Sequence, residues 1–119
     1  MSNQGYAFET LALEYLLAQG LKFEARNVRC AWGELDLVMR DNEQDLLVLV
    51  EVKYRRHRAF GGAAASVTHA KQQKLQRTAL WYIQSTSWLG SVRFDVVTLE
   101  GESPYQITWI TNAFIQQDD

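Results

Sequence analysis

Two short clusters carry the chemistry open to this sequence: Gly33-Glu34-Leu35-Asp36 and, fourteen positions beyond Asp36, Val50-Glu51-Val52-Lys53. Both lie in the most apolar, strand-like parts of the chain, and residues 46–52 read Leu-Leu-Val-Leu-Val-Glu-Val. A carboxylate in such a run must be neutral, paired or bound to a metal, because burying it charged and alone is prohibitively costly. Glu51 is therefore a site candidate on its environment alone. Strand alternation puts Glu34 and Asp36 on one face of their strand, and Glu51 and Lys53 on one face of theirs. A hairpin that pairs Arg40 with Asp45 sets Glu34 opposite Glu51 and Asp36 opposite Leu49, so that all four charged groups share a face; a three-residue slip separates them. In that register Asp36 and Glu51 are diagonal neighbours, about 7–8 Å apart between backbone positions.

Carboxylates gathered in this way repel unless a cation joins them. Oxygen ligands with no nearby Cys or His call for a hard, octahedral ion, Mg²⁺ or Mn²⁺. One cysteine, Cys30, and two histidines, His57 and His69, at no ligand spacing argue strongly against a structural zinc site. A divalent ion next to a lysine on the same strand face suits phosphodiester hydrolysis. The ion polarises a phosphoryl oxygen and activates water, while Lys53 orients the attacking water or offsets transition-state charge. The sequence holds no Walker-type loop, no G-x-G-x-x-G and no G-x-S-x-G elbow. The structural alternative is a strand that emerges into solvent, with Asp36 paired to Lys53 or an arginine.

The elements that must position these groups are readable from periodicity. Phe8, Leu11, Ala12, Tyr15 and Leu16 follow helical spacing over Gly5 to Gln19, with Gly20 as the stop. Glu9 borders the apolar stripe of that helix, since Leu13 and Leu16 lie four and seven positions on. Leu21 to Cys30, Glu34 to Arg40 and Asp45 to Lys53 read as strands. A basic, Gly/Ala-rich loop over 54–66 follows. Thr68 is the expected N-cap of a second helix over His69 to Gln84, with Leu75, Ala79, Leu80 and Ile83 inward and Lys71, Lys74 and Arg77 on a separate face. Val92 to Leu99 and Tyr105 to Ile110 read as two more strands around a Gly101–Pro104 turn. The order helix, three strands, helix, two strands predicts an α/β fold with a mixed sheet, the strand after the second helix running parallel to one before it. Trp81, Trp88 and Trp109 are expected in core packing.

At 119 residues and 47% hydrophobic content, the expectation is one domain with its own core, spanning 1–119. The unpaired Cys30 reads as a small buried thiol of a reducing, cytoplasmic protein, and no leader or apolar run of roughly 20 residues suggests a membrane. The net charge of −2 hides a strong asymmetry. Between Val52 and Phe94 lie eight of the twelve basic residues and none of the fourteen acidic ones. A local patch, more than the total, decides whether phosphate is attracted. The plain alternative for the helical part is a solvated face.

Taken in order, Gly5-x3-Glu9-x2-Ala12, Asn27, Gly33-Glu34-Leu35-Asp36, Val50-Glu51-Val52-Lys53-x-Arg55, Phe60-Gly61, Lys71-Gln72, Arg93-Phe94-Asp95-Val96 and Ala113-Phe114 resemble the bacterial YraN family. That family is catalogued as uncharacterised and is similar in fold to PD-(D/E)XK endonucleases and archaeal Holliday-junction resolvases. The resemblance implies a restriction-endonuclease-like core, a central five-stranded mixed sheet flanked by helices. It places Asp36 as the metal-binding aspartate, Glu51 and Lys53 as the E-x-K pair, and Glu9 as the glutamate that the first helix adds to the metal site. Leu35 stands where the superfamily has proline. Glu34 is implied as a supporting group or additional ligand, and Gln72 as a supporting group. Arg55, Arg56, Arg58, Lys71 and Lys74 would meet nucleic-acid phosphates. The implied function is a Mg²⁺- or Mn²⁺-dependent endonuclease acting on DNA, branched or junction DNA included, with a homodimer required for paired cuts on a junction. The competing expectation is a nucleic-acid-binding or adaptor domain that keeps the fold without turnover.

Overall fold

The structure, a computed structural model, describes residues 3–56 and 68–113. Arg58, the Gly61-Gly62 stretch of the basic loop and Phe114 lie outside the described residues. The chain order is α1 (Asn3–Ala18), β1 (Lys22–Cys30), β2 (Gly33–Asp41), β3 (Leu46–Arg55), α2 (His69–Thr86), β4 (Ser91–Glu100) and β5 (Gln106–Ile110). The strands form one mixed sheet in the order β1-β2-β3-β4-β5. Among the described residues only β3 and β4 pair in parallel, joined by the crossover that contains α2; the other neighbours are antiparallel.

Local chemistry explains the boundaries. The chain leaves α1 through Gly20, whose φ of +101° is open to glycine at little cost. Thr68 caps α2, its hydroxyl accepting the Lys71 N–H at 3.2 Å. At the other end Ser87 adopts a left-handed conformation and the Trp88 N–H returns to Ile83 O.

The sheet is covered on both faces. Phe8, Ala12 and Leu16 of α1 pack on Leu37, Met39, Leu46, Val48, Val50, Val97 and Leu99. On the opposite face Leu75, Ala79 and Tyr82 of α2 pack on Leu35, Val38, Leu47, Leu49, Phe94 and Val96. The continuous apolar run of β3 follows from this double burial, each fully buried Val or Leu contributing about 1.5–3 kcal/mol. Alternation therefore directs Glu51, two beyond Leu49, toward the α2 side. Leu80 and Trp81 depart from the expected packing. They are 56% and 38% exposed, because the buried stripe of α2 runs through Leu75, Thr78, Ala79 and Tyr82 instead. Cys30 is half-buried, at the end of a strand rather than in the core. No helix among the described residues is long and apolar enough to cross a membrane.

The β2–β3 hairpin has a different register from the expected one. Arg40 pairs with Leu47, not Asp45, and Asp41 with Leu46 closes a loop of four residues. The shift is of two residues, so parity and the shared face survive. The ladder runs as far as Leu37↔Val50, and one more step places Asp36 opposite Glu51 rather than opposite Leu49.

Candidate carboxylate and lysine site at the end of the sheet

Beyond Leu37↔Val50 the Asp36 side chain takes over from the backbone. Its Oδ2 accepts the Val52 N–H at 2.9 Å, so Asp36 is anchored to the strand that carries Glu51. Glu9 enters from α1. It is 6% exposed, which agrees with its place at the border of the apolar stripe. Its neighbour Phe8 stacks on Tyr54 with ring centroids 4.2 Å apart, and Tyr105 closes edge-on against both rings. Since Tyr54 adjoins Lys53, this aromatic contact sets where Glu9 and Lys53 stand relative to each other.

Carboxylate oxygens of Glu9, Glu34 and Asp36 all lie within 4.8 Å of one another. Glu34 thus lies in the same cluster as Glu9 and Asp36. Asn27 holds two of the three, its side-chain amide donating to Glu9 Oε1 at 2.8 Å and to Glu34 Oε1 at 3.2 Å. It does so from a left-handed backbone, φ 53°, within β1, a conformation that asparagine tolerates better than most residues. Arg26 adds its guanidinium at 3.5 Å from Glu9, while bonding Thr10 Oγ1 and Tyr6 O and lying over the Tyr6 ring.

Glu51, 7% exposed, turns to lysines. Lys71 Nζ lies 2.5 Å from Glu51 Oε1 and Lys53 Nζ 3.4 Å from the same oxygen. Lys71, expected among the phosphate contacts, is therefore in the carboxylate site itself, brought there by the first turn of α2. Burial pushes the Lys53 ammonium below the usual lysine range, and the neighbouring Lys71 acts in the same direction. Burial opposes the charge on Lys71 as well, but its bond to Glu51 and the nearby carboxylates hold its pKa above the ordinary value. Asp36 shows the strain of the cluster most clearly. Burial and the charges of Glu51 and Glu9 push it up to about 8, against the Val52 hydrogen bond, which favours the ionised form.

Two adjoining hollows open on these groups. One of about 280 Å³ is bordered by Glu9, Asp36, Glu51, Lys53 and Lys71. The other, about 190 Å³, is bordered by Glu34, Asp36, Glu51, Lys71, Lys74 and Thr78. A water occupies roughly 30 Å³ of the liquid, so each hollow has room for several waters or a small ion. The donor set fits a hard cation: carboxylate oxygens of Glu9, Glu34 and Asp36 converge, and the like charges of Glu51 and Glu9 add to the raised pKa of the half-buried Asp36.

The remaining expected residues are placed differently. Lys74 borders the second hollow. Arg55 donates to Tyr54 O at 3.0 Å, and Arg56 stands 3.9 Å from Glu102 in an exposed pair. Gln72 is half-buried beside Lys71, its backbone N–H on Thr68 O. The positioning roles of Asn27 and Arg26 were not anticipated. The available signal was a polar Arg-Asn pair in the middle of a strand pattern, where asparagine is unfavourable unless its side chain has a task.

The sheet, the two helices and this site define an α/β protein with a carboxylate–lysine centre at one end of a mixed sheet. The profile of the Uncharacterised protein family UPF0102 matches residues 8–99, and the chain belongs to that family, the YraN family. It is 48% identical over 117 residues to a UPF0102 protein of Pseudomonas putida, covering 95% of this chain and 93% of the relative. A Nitrosomonas europaea UPF0102 protein is 45% identical over 112 residues, with 94% and 93% covered. A longer Bordetella parapertussis relative is 47% identical over 116 residues, which are 92% of this chain and 63% of that protein.

Proposed function

We propose that this protein is a Mg²⁺- or Mn²⁺-dependent endonuclease that hydrolyses DNA phosphodiester bonds, built on a PD-(D/E)XK core. The observation that carries the reading is the convergence of Glu9, Glu34, Asp36 and Glu51 with Lys53 and Lys71 at one end of the sheet. The element order α-β-β-β-α-β-β, with Asp36 on the second strand and Glu51-x-Lys53 on the third, accords with that core.

Glu9, Glu34 and Asp36 would hold the ion, with Glu51 joining as Lys71 shifts to phosphate. Bound there, a divalent ion would polarise the scissile phosphoryl group and supply a nucleophilic hydroxide near neutral pH. Lys53, its charged form weakened by burial, is suited to hydrogen-bond the attacking water and to balance charge on the phosphorane-like transition state. Asn27 and Arg26 keep Glu9 and Glu34 in place before and after the ion binds. Lys71 and Lys74, with Arg55, Arg56 and Arg58 farther along the basic stretch, supply phosphate contacts that raise affinity without reading sequence.

One observation favours a second reading. The 2.5 Å Lys71–Glu51 pair satisfies Glu51 with a protein cation, as a non-catalytic nucleic-acid-binding or adaptor domain would. The test that separates the readings is cleavage of linear, flap and four-way-junction DNA in Mg²⁺, Mn²⁺ or EDTA, beside Glu51→Ala and Lys53→Ala. Metal-dependent cuts that both substitutions abolish establish the nuclease. Binding without cleavage in either metal establishes the adaptor.

A further inference from the structure

We propose that Trp32 and Arg77 form a stacking platform for an unpaired nucleotide of a DNA substrate, at the rim of the carboxylate site. The inference rests on the nucleic-acid reading above and adds to it the class of substrate.

Trp32 sits in the two-residue connection between Cys30 and Gly33, the pair that closes the β1–β2 hairpin. An indole in such a turn would ordinarily be buried or replaced by a polar residue, yet this one is 51% exposed. Its turn lies against α2. The Trp32 N–H points to Cys30 Sγ at 3.4 Å, and Gly33 lies so close to α2 that a Cβ there would stand 3.2 Å from Thr78 Oγ1. The absence of a side chain at Gly33 lets the turn dock on the helix. That docking brings the Arg77 guanidinium over the indole, 5.2 Å from the ring centroid.

The place of this pair gives it a ligand. Gly33 and Thr78, the immediate neighbours of Trp32 and Arg77, border the hollow that also holds Asp36 and Glu51. Lys71, Lys74 and Arg77 follow one another along α2 at helical spacing, within the stretch that contains no carboxylate. Cations leading from the candidate metal site to an exposed indole match a sugar–phosphate backbone whose base can turn outward. Bases inside a duplex are already stacked on one another, so an exposed indole takes an unpaired base far more readily than a paired one. Leu80 and Trp81, also exposed on α2, extend the apolar surface beyond Arg77. Protein docking on that surface would not require a row of cations ending at the carboxylates.

The test is binding in EDTA, where turnover plays no part. Wild-type protein, Trp32→Ala and Trp32→Phe are titrated with a 15-nucleotide oligothymidylate and with a blunt duplex of the same length, following intrinsic fluorescence and anisotropy. Oligothymidylate quenches the wild-type emission, and Trp32→Phe removes that quenching while keeping most of the affinity. Trp32→Ala lowers the ratio of single-strand to duplex affinity by about 5- to 150-fold, the worth of one base–aromatic stack. An unchanged ratio in Trp32→Ala overturns the platform, as does quenching that persists in Trp32→Phe. Concentration-dependent sedimentation abolished by Trp32→Ala, with the ratio unchanged, assigns the face to a second copy of the chain. The two readings fail separately: loss of quenching without any metal-dependent cleavage leaves the platform and removes the nuclease, and metal-dependent cleavage with an unchanged ratio does the reverse.

Discussion

Asp36 and Asp95 sit on β2 and β4, the two strands that flank β3, and their environments are opposite. Asp95 is 1% exposed and fully engaged: Arg93 meets it with two nitrogens at 2.8 and 2.9 Å, and Trp109 Nε1 and the Asn112 N–H complete its partners at 2.9 Å. The guanidinium pKa of Arg93 is raised, chiefly by its bond to Asp95. That network ties β5 and the turn after it to β4, and its charge is balanced. Asp36 takes the Val52 N–H and faces Glu51 and Glu9, which with burial lift its pKa to about 8. The contrast separates two environments of a strand carboxylate. One with its countercharge supplied holds strands together; one set against Glu51 and Glu9 has its pKa raised, which a bound cation would relieve.

The largest expected effect lies on the structural side of that comparison. Asp95→Ala leaves the Arg93 guanidinium and the Trp109 and Asn112 donors without their acceptor, and should cost about 3–5 kcal/mol in urea unfolding. A loss below 1 kcal/mol would show that the network relaxes into water, and the contrast with Asp36 would weaken. Asp36→Asn keeps an acceptor for Val52 while removing the ionisable group from the cluster. Its unfolding midpoint should equal or exceed that of the wild type, whereas metal-dependent cleavage should fall by about 10²–10³-fold or more. A destabilisation comparable to that of Asp95→Ala would erase the distinction.

The pH dependence follows from the sign of the Asp36 shift. A carboxyl raised from 3.8 to about 8 holds in the folded protein a proton that the unfolded chain has released. Its contribution to stability is complete below pH 3.8 and is lost as pH rises toward 8. In EDTA the urea midpoint should therefore drop between pH 5 and pH 8, and Asp36→Asn should remove most of that drop. Mg²⁺, competing with the proton, should stabilise more at pH 8 than at pH 5. An identical slope in Asp36→Asn would assign the titration to another group. The smallest effect expected is that of Asn27→Gly, which accepts the left-handed backbone but deletes the amide between Glu9 and Glu34. Mg²⁺ affinity measured by calorimetry should fall about 10-fold, the usual scale for an outer partner of a metal ligand. Unchanged affinity would mean that Arg26 alone positions Glu9.

Much of this arrangement was legible in the chain. Seven elements in the right order follow from two periodicities, and Thr68 was recognisable as a cap because its hydroxyl can serve the first turn of α2. Glu9 could be assigned to the interior because a helix forces residues at fixed spacing onto one stripe. The register of β2 on β3 was missed by two residues, since an even slip leaves every side chain on its own face and costs no change in pattern. Leu80 was placed inward for a related reason: its apolar neighbours fit two adjacent stripes, and only the position of the sheet selects the one through Leu75, Thr78, Ala79 and Tyr82.

The sequence alone marked two carboxylates for the interior, Glu51 because apolar residues flank it in its strand and Glu9 because it borders the apolar stripe of its helix. It left open the contacts that complete the site. Glu34 joining Glu9 and Asp36, Asn27 bridging two of them, and Lys71 crossing from α2 to Glu51 all depend on contacts between elements far apart in the chain. Such contacts are set by how α1 and α2 seat on the two faces of the sheet. Periodicity records which face of an element is buried, and packing alone decides what that face touches.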